Sequence, residues 1–158
     1  MPQENKHTKS FAIVFWILTA MCMGAIFYFS SRPATQSAGQ SSVVTLFLQK
    51  LFHTKAITEH MVRKAAHFTE FTGLGFLTNS AVYFTKHKRN LAIGIAIGSA
   101  YAATDEIHQI FVDGRSCQFT DWALDTLGVI TGALIFLILY LIIRKIIEHK
   151  NDKRIKEI

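Results

Sequence analysis

Long apolar blocks alternate with short polar ones along the chain. Residues 11–29 are apolar throughout except for Thr19 and a few small residues, and the block stops at Ser30-Ser31-Arg32-Pro33. Nineteen residues suffice to cross a hydrocarbon core of ~30 Å as a helix. Lys6 and Lys9 ahead of the block would also suit a signal peptide, but its apolar part exceeds the usual h-region of about 7–15 residues, so an uncleaved anchor is expected. Three further blocks are less uniform. Residues 65–84 carry His67, Glu70 and Asn79; residues 91–112 carry Asp105, Glu106, His108 and Gln109; residues 122–143 carry Asp125 near their start. The pattern predicts an all-α integral membrane protein built as a four-helix transmembrane bundle.

Between the first two blocks lies the one long connection. Its Ser/Gln/Ala-rich first part shows no strand or helix period, whereas Val43, Val44, Phe47, Leu48 and Leu51 recur at helical spacing. A short helix is expected there, either on the outer leaflet or packed onto the bundle. Gly94 with Gly98, and Gly128 with Gly132, form GxxxG spacings that permit close helix approach. Trp122 is expected in an interfacial aromatic belt, and Trp16 facing lipid or packed.

Charge sets the direction of insertion. The chain carries 17 Lys and Arg against 11 Asp and Glu, a net charge of +6. Eleven of the basic residues fall in residues 1–10, the connection 85–90 and the tail 144–158. The positive-inside rule then places both termini in the cytoplasm and the 30–64 and 113–121 connections outside. The tail itself reads as a solvated basic segment attracted to anionic lipid. Basic character alone would also suit nucleic acid, but these apolar blocks make a lipid surface the anionic partner instead. Half the residues are hydrophobic and only 18% charged, which excludes a disordered chain. Cys22 in an apolar block and Cys117 in a polar loop are not expected to pair, and no CxxC or Cys/His cluster supports a redox or zinc module.

The ionisable residues inside the blocks are not scattered. Arg63, His67 and Glu70 follow helical spacing within ~10 Å of the start of the second block, and Asp105 lies ~10 Å before the end of the third. His108 and Gln109 stand one turn above Asp105, and Asp121 and Asp125 open the fourth block one turn apart. Alternating helix direction brings all of them to one end of the bundle whichever way it is inserted. A carboxylate in a bilayer costs roughly 2.5–3.5 kcal/mol at the centre and less near the ends, so such residues face protein, water or one another. The natural reading is a polar pocket; a structural ion-pair network is the alternative.

Two chemistries suit the set. His67 or His108 can serve as general base or nucleophile, with Glu70, Asp105, Glu106 and Asp121 as acid or orienting partners. Alternatively His67, Glu70, Asp105 and His108 could ligate a divalent metal, but no HExxH or comparable signature supports that, so metal is not favoured and the cofactor is left unknown. Asp113-Gly114 is a turn signal that would aim Arg115 over the pocket mouth, to bind an anion or to pair with Asp121. With Arg63, Gln109 and Asp125 it makes up the expected substrate-binding group. His60, His53, His87 and His149 are expected at solvated or interfacial positions.

The pocket residues also form recognisable strings. Arg63-Lys64-Ala65-Ala66-His67-Phe68-Thr69-Glu70-Phe71 with Gly73 and Gly75, then Asp105-Glu106-Ile107-His108-Gln109-Ile110-Phe111-Val112-Asp113-Gly114-Arg115, then Asp121, Asp125 and Gly128, resemble the VanZ family, as does Phe29-Ser30-Ser31 after the first block. The resemblance runs from about Phe11 to Leu141. Asp113 stands where the family often has Pro, which bears on the turn that aims Arg115, and Arg32 where it often has Gln. The resemblance implies a small multi-pass protein of the bacterial cell membrane, related to proteins that lower susceptibility to the glycopeptide teicoplanin.

Taken together, these residues lead to an envelope-modifying enzyme with an extracytoplasmic pocket, acting on the headgroup of a phospholipid or polyprenyl-linked wall precursor, with no nucleic-acid partner. The alternative is non-enzymatic: the pocket binds lipid, wall precursor or glycopeptide and limits drug access. A proton or ion pathway would need polar residues continuing through the inner halves, which offer few beyond Asn79 and Thr104. The sequence does not set the oligomeric state.

Overall fold

The computed structural model describes residues 6–156; residues 1–5 and 157–158, at the extremes of the two terminal segments, lie outside the described residues. The described chain is all helical: α1 (Lys6–Ser30), α2 (Ala34–Leu51), α3 (Glu59–Lys86), α4 (Leu91–Gln109) and α5 (Phe119–Lys156). Two stretches, Thr8–Ser30 and Phe119–Lys153, are long and apolar enough to cross a membrane. Helices α3 and α4 cover the second and third expected blocks, but His67, Glu70, Asn79, Asp105 and Glu106 dilute their apolar character.

Helix α3 is the hub, packing against all four others, while α4 fits against α3, α5 and α1. Glycine makes the central contact possible. A methyl group at Gly132 would lie 2.0 Å from the Thr72 carbonyl oxygen, and one at Gly75 would lie 2.2 Å from that of Val129, so α3 and α5 touch backbone to backbone. Gly94 and Gly98 let α4 close onto the side chains of Asn79 in α3 and Val129 in α5. The packing expected of both GxxxG spacings is therefore present. Phe71, Leu74, Ala102, Val129 and Ile26 form the core between the helices.

One expectation needs correction. The Ser/Gln/Ala segment after Pro33, expected to be irregular, is the first half of α2. Its helix is started by a distant contact: the Ala34 amide donates to the Asp113 carbonyl at 3.1 Å, and the Pro33 carbonyl accepts from Gln36 and Ser37. The basic tail, expected to be solvated, is exposed through residue 153 and continues α5 as far as Lys156, helped by an i,i+4 pair between Arg144 and Glu148 at 2.7 Å. Trp122, near the start of α5, is half-buried against the core and donates its indole N–H to the Ser99 carbonyl at 3.3 Å.

Helix α2 carries its polarity inside out. Ser37 and Thr45 are buried against the protein, while Val43, Leu46 and Phe47 are each at least 65% exposed. Helices α1 and α5 likewise turn Phe11, Ile13, Met21, Ile138 and Ile142 outward. Cys22 and Cys117 are both free, as expected.

Candidate functional site

The N-terminal turns of α3 and α5 and the C-terminal turns of α1 and α4 meet at one end of the bundle. Thr58 caps α3 by accepting from the Met61 amide at 3.3 Å, which starts that helix six residues before the apolar block and puts His60, Arg63, Lys64 and His67 on its first turns. A cavity of about 130 Å³ opens there, lined by those four residues with Glu106, Gln109, Arg115, Asp121 and Asp125 among others. At about 30 Å³ per water in the liquid, this is room for some four waters, the scale of a small anionic group rather than of a whole lipid or glycopeptide.

Each carboxylate is placed differently. Asp105, 2% exposed, accepts from Ser30 Oγ at 2.8 Å and from Gln109 Nε2 at 3.0 Å, both through Oδ2, which leaves Oδ1 without a partner among the described residues. Asp125 is 1% exposed, and neither of its oxygens has a hydrogen-bond partner among the described residues. Glu106 accepts from the Gln118 amide at 2.8 Å and so fastens the turn that leads into α5. Asp121 pairs with Lys64 at 2.7 Å. One ligating atom each from His67, Asp105 and Asp125 lies within 4.8 Å of the other two.

Arg115 does two jobs. Gly114, with φ +73°, makes the expected turn and leaves Arg115 on the cavity wall. Its guanidinium donates to the Arg32 carbonyl (Nε, 3.1 Å), to Ser37 Oγ (Nη2, 2.7 Å) and more weakly to the Phe29 carbonyl (Nη2, 3.4 Å). A cation at the C-terminal end of α1 satisfies carbonyls that the helix leaves open. Burial, and then the charge of Arg63, pull the Arg115 pKa below its ordinary value. The weighed pairing of Arg115 with Asp121 is not formed, because Lys64 holds Asp121. Arg63 lines the cavity with its Nε buried and without a partner among the described residues.

The sequence-predicted residues Arg63, His67, Glu106, Gln109, Arg115, Asp121 and Asp125 line the cavity, with Asp105 in contact with Gln109 and grouped with His67 and Asp125. Two stand apart. His108 turns toward α1, where its ring meets that of Phe27 at 4.4 Å between centroids. Glu70 borders an apolar groove with Cys22, Val44, Leu48 and Met61, between α1, α2 and α3. His60, expected to be simply solvated, is exposed but also lines the cavity. Sequence reasoning passed over Lys64, Ser30, Ser37 and Gln118. Lys64 had a signal in its position beside Arg63, and Ser30 in the polar step that ends α1.

A family model described as VanZ/LLP1 matches residues 15–140, from the second turn of the first apolar block to near the end of the last. The chain belongs to the VanZ/LLP1 family. All the strings that carried the VanZ resemblance fall within the matched region, and the family together with the two long apolar helices points to a membrane protein. No curated protein and no solved structure matches it.

Proposed function

We propose that this VanZ-like protein crosses the bacterial cell membrane four times, through α1, α3, α4 and α5, with α2 lying in the outer leaflet and the cavity opening on the extracytoplasmic side. There it modifies the headgroup of a phospholipid or polyprenyl-linked wall precursor, which links it to teicoplanin susceptibility through the composition of the cell surface. The distribution of Lys and Arg supports the orientation. The outward apolar face of α2 supports its contact with lipid.

The observation that carries the reading is the convergence of His67, Asp105 and Asp125 beneath a cavity walled by Arg63, Lys64 and Arg115. Cations at the wall suit a phosphate whose acyl or prenyl chain stays in the bilayer. His67 takes the proton of an attacking hydroxyl, the new oxygen–phosphorus bond forms, and the departing alcohol receives the proton back. Asp105 and Asp125 orient and compensate the imidazole. His108 has no part in this step, because its ring is committed to Phe27.

The test is turnover in vesicles of phosphatidylglycerol with added polyprenyl phosphate, with the lipids read by mass spectrometry. Wild type and His108→Ala should both alter a headgroup, and His67→Ala should not. Binding of these lipids without any turnover would favour the occupancy alternative, and full activity in His67→Ala would remove the assignment.

A further inference from the structure

Two buried carboxylates with oxygens within 4.8 Å of each other need a positive partner or a shared proton. Of the cations on the cavity wall two are engaged elsewhere, and Arg63, whose Nε has no partner among the described residues, pairs with neither carboxylate. Lys64 is held by Asp121, and Arg115 by Arg32, Phe29 and Ser37. Among the described residues the ion pairs are Lys64–Asp121 and Arg144–Glu148, so neither Asp105 nor Asp125 has one. An uncompensated pair of buried carboxylates is costly in any medium poorer than water.

We propose that His67, Asp105 and Asp125 hold a divalent cation of the Mn²⁺ or Zn²⁺ type. The inference rests on the headgroup reading for its purpose and changes one role within it: with an ion bound, His67 is a ligand and no longer the proton acceptor, and the ion itself would lower the pKa of the attacking hydroxyl. The site stands on three observations. The first is donor chemistry: one imidazole nitrogen with two carboxylates suits first-row divalent ions that accept both nitrogen and oxygen. The second is spacing. Three ligand atoms around a tetrahedral ion at about 2.0–2.2 Å lie about 3.3–3.6 Å apart, so groups already within 4.8 Å of one another have at most about 1.5 Å to close, which side-chain rotation can supply.

The third is the arrangement of hydrogen bonds. Ser30 and Gln109 both donate to Oδ2 of Asp105, which fixes that carboxylate and leaves Oδ1 bare. Asp125 is bare at both oxygens. One oxygen anchored by outer partners while the other is left to ligate is how metal-binding carboxylates are commonly oriented. This set differs from the one the sequence offered: Asp125 replaces Glu70 and His108, which face the groove and Phe27. With three protein ligands the ion would keep open positions toward the cavity, where a phosphate oxygen or a water can enter.

The experiment uses full-length protein in detergent, stripped with chelator and titrated with Mn²⁺ alone and then with Zn²⁺ alone. Wild type should take up one equivalent, and pulsed electron paramagnetic resonance of the Mn²⁺ form should show coupling to an imidazole nitrogen that is lost in His67→Gln. Ser30→Ala should weaken binding about 10-fold, and Asp125→Asn by more than the about 10–100-fold that outer partners are worth. Glu148→Gln, in the exposed pair with Arg144 near the other end of α5, should bind as wild type does. If a variant fails to fold, the nitrogen coupling in wild type still decides. Failure of wild type to bind either ion in the millimolar range, or unchanged affinity in Asp125→Asn, would overturn the proposal and leave the two carboxylates sharing a proton. Metal uptake without phospholipid turnover would preserve this site while refuting the headgroup reading. Turnover in the presence of chelator would do the reverse.

Discussion

Arg115 is expected to hold the end of the bundle together as well as to face the cavity, and Arg115→Ala separates the two roles. Its bond to Ser37, at 2.7 Å and with Ser37 only 9% exposed, joins a charged donor to a buried hydroxyl, and deleting such a donor costs about 1.5–3 kcal/mol. The Arg32 carbonyl at 3.1 Å lies at a partly exposed helix end where water can replace the guanidinium, so about 0.5–1 kcal/mol is expected there. The Phe29 contact at 3.4 Å is too long to count. Favourable placement at the C-terminus of α1 adds about 0.3–1 kcal/mol. Desolvation of the charge, visible in the lowered pKa of Arg115, offsets part of this. The expected net loss is about 2–3 kcal/mol, concentrated at the α1–α2 junction. Reversible unfolding in mixed micelles reads the total, and hydrogen exchange reads its location, with faster exchange at the amides of residues 31–37. Arg115→Lys should recover less than half, because an ammonium cannot serve Arg32 and Ser37 as a fork does. A loss below about 0.5 kcal/mol with unchanged exchange would refute the anchoring role.

Three other outcomes follow from the geometry. Gly132→Ala places a methyl 2.0 Å from the Thr72 carbonyl oxygen and should cost about 3 kcal/mol or more in micellar unfolding, whereas Gly73→Ala, with nothing within 4 Å, should be neutral or stabilise by up to about 1 kcal/mol. A double-mutant cycle of Lys64→Met and Asp121→Asn should give a coupling of about 0.5–1 kcal/mol, since both side chains are roughly one-third exposed, at 33% and 28%. In intact cells a membrane-impermeant maleimide should label Cys117, exposed in the turn at the cavity end, and leave half-buried Cys22 unmodified; protection of Cys117 until the membrane is opened would reverse the proposed orientation.

The depth of the polar residues was legible in the sequence because helical spacing fixes position along an axis closely. Direction around the axis was less so. His108 is three residues from Asp105, about 60° off its face at 3.6 residues per turn, and that rotation is enough to turn it from the cavity onto Phe27. Glu70 lies one turn, about 4.5 Å, beyond His67, at a level where α1 and α2 flank α3 with apolar surface. The turn at Gly114 was readable from Asp-Gly, since the chemistry is local. The first half of α2 was not, because its helix depends on Asp113 and Arg115, some eighty residues away, and its Ser/Gln/Ala composition has no period of its own. Lys64 was counted as a topological charge, and only the packing of α3 against α5 reveals its bond to Asp121.

Central to the account is that the cavity receives a phosphate-bearing lipid headgroup, and Arg63 is the most direct handle on it, with a guanidinium on the cavity wall and a buried Nε not engaged by any described residue. The decisive measurement is native mass spectrometry of the detergent-purified protein beside Arg63→Gln, with the co-purifying lipids identified. The account predicts a phosphate-bearing lipid at one per chain on wild type and its loss from a folded Arg63→Gln. Equal retention by both proteins, or retention only of lipids without phosphate, would contradict it.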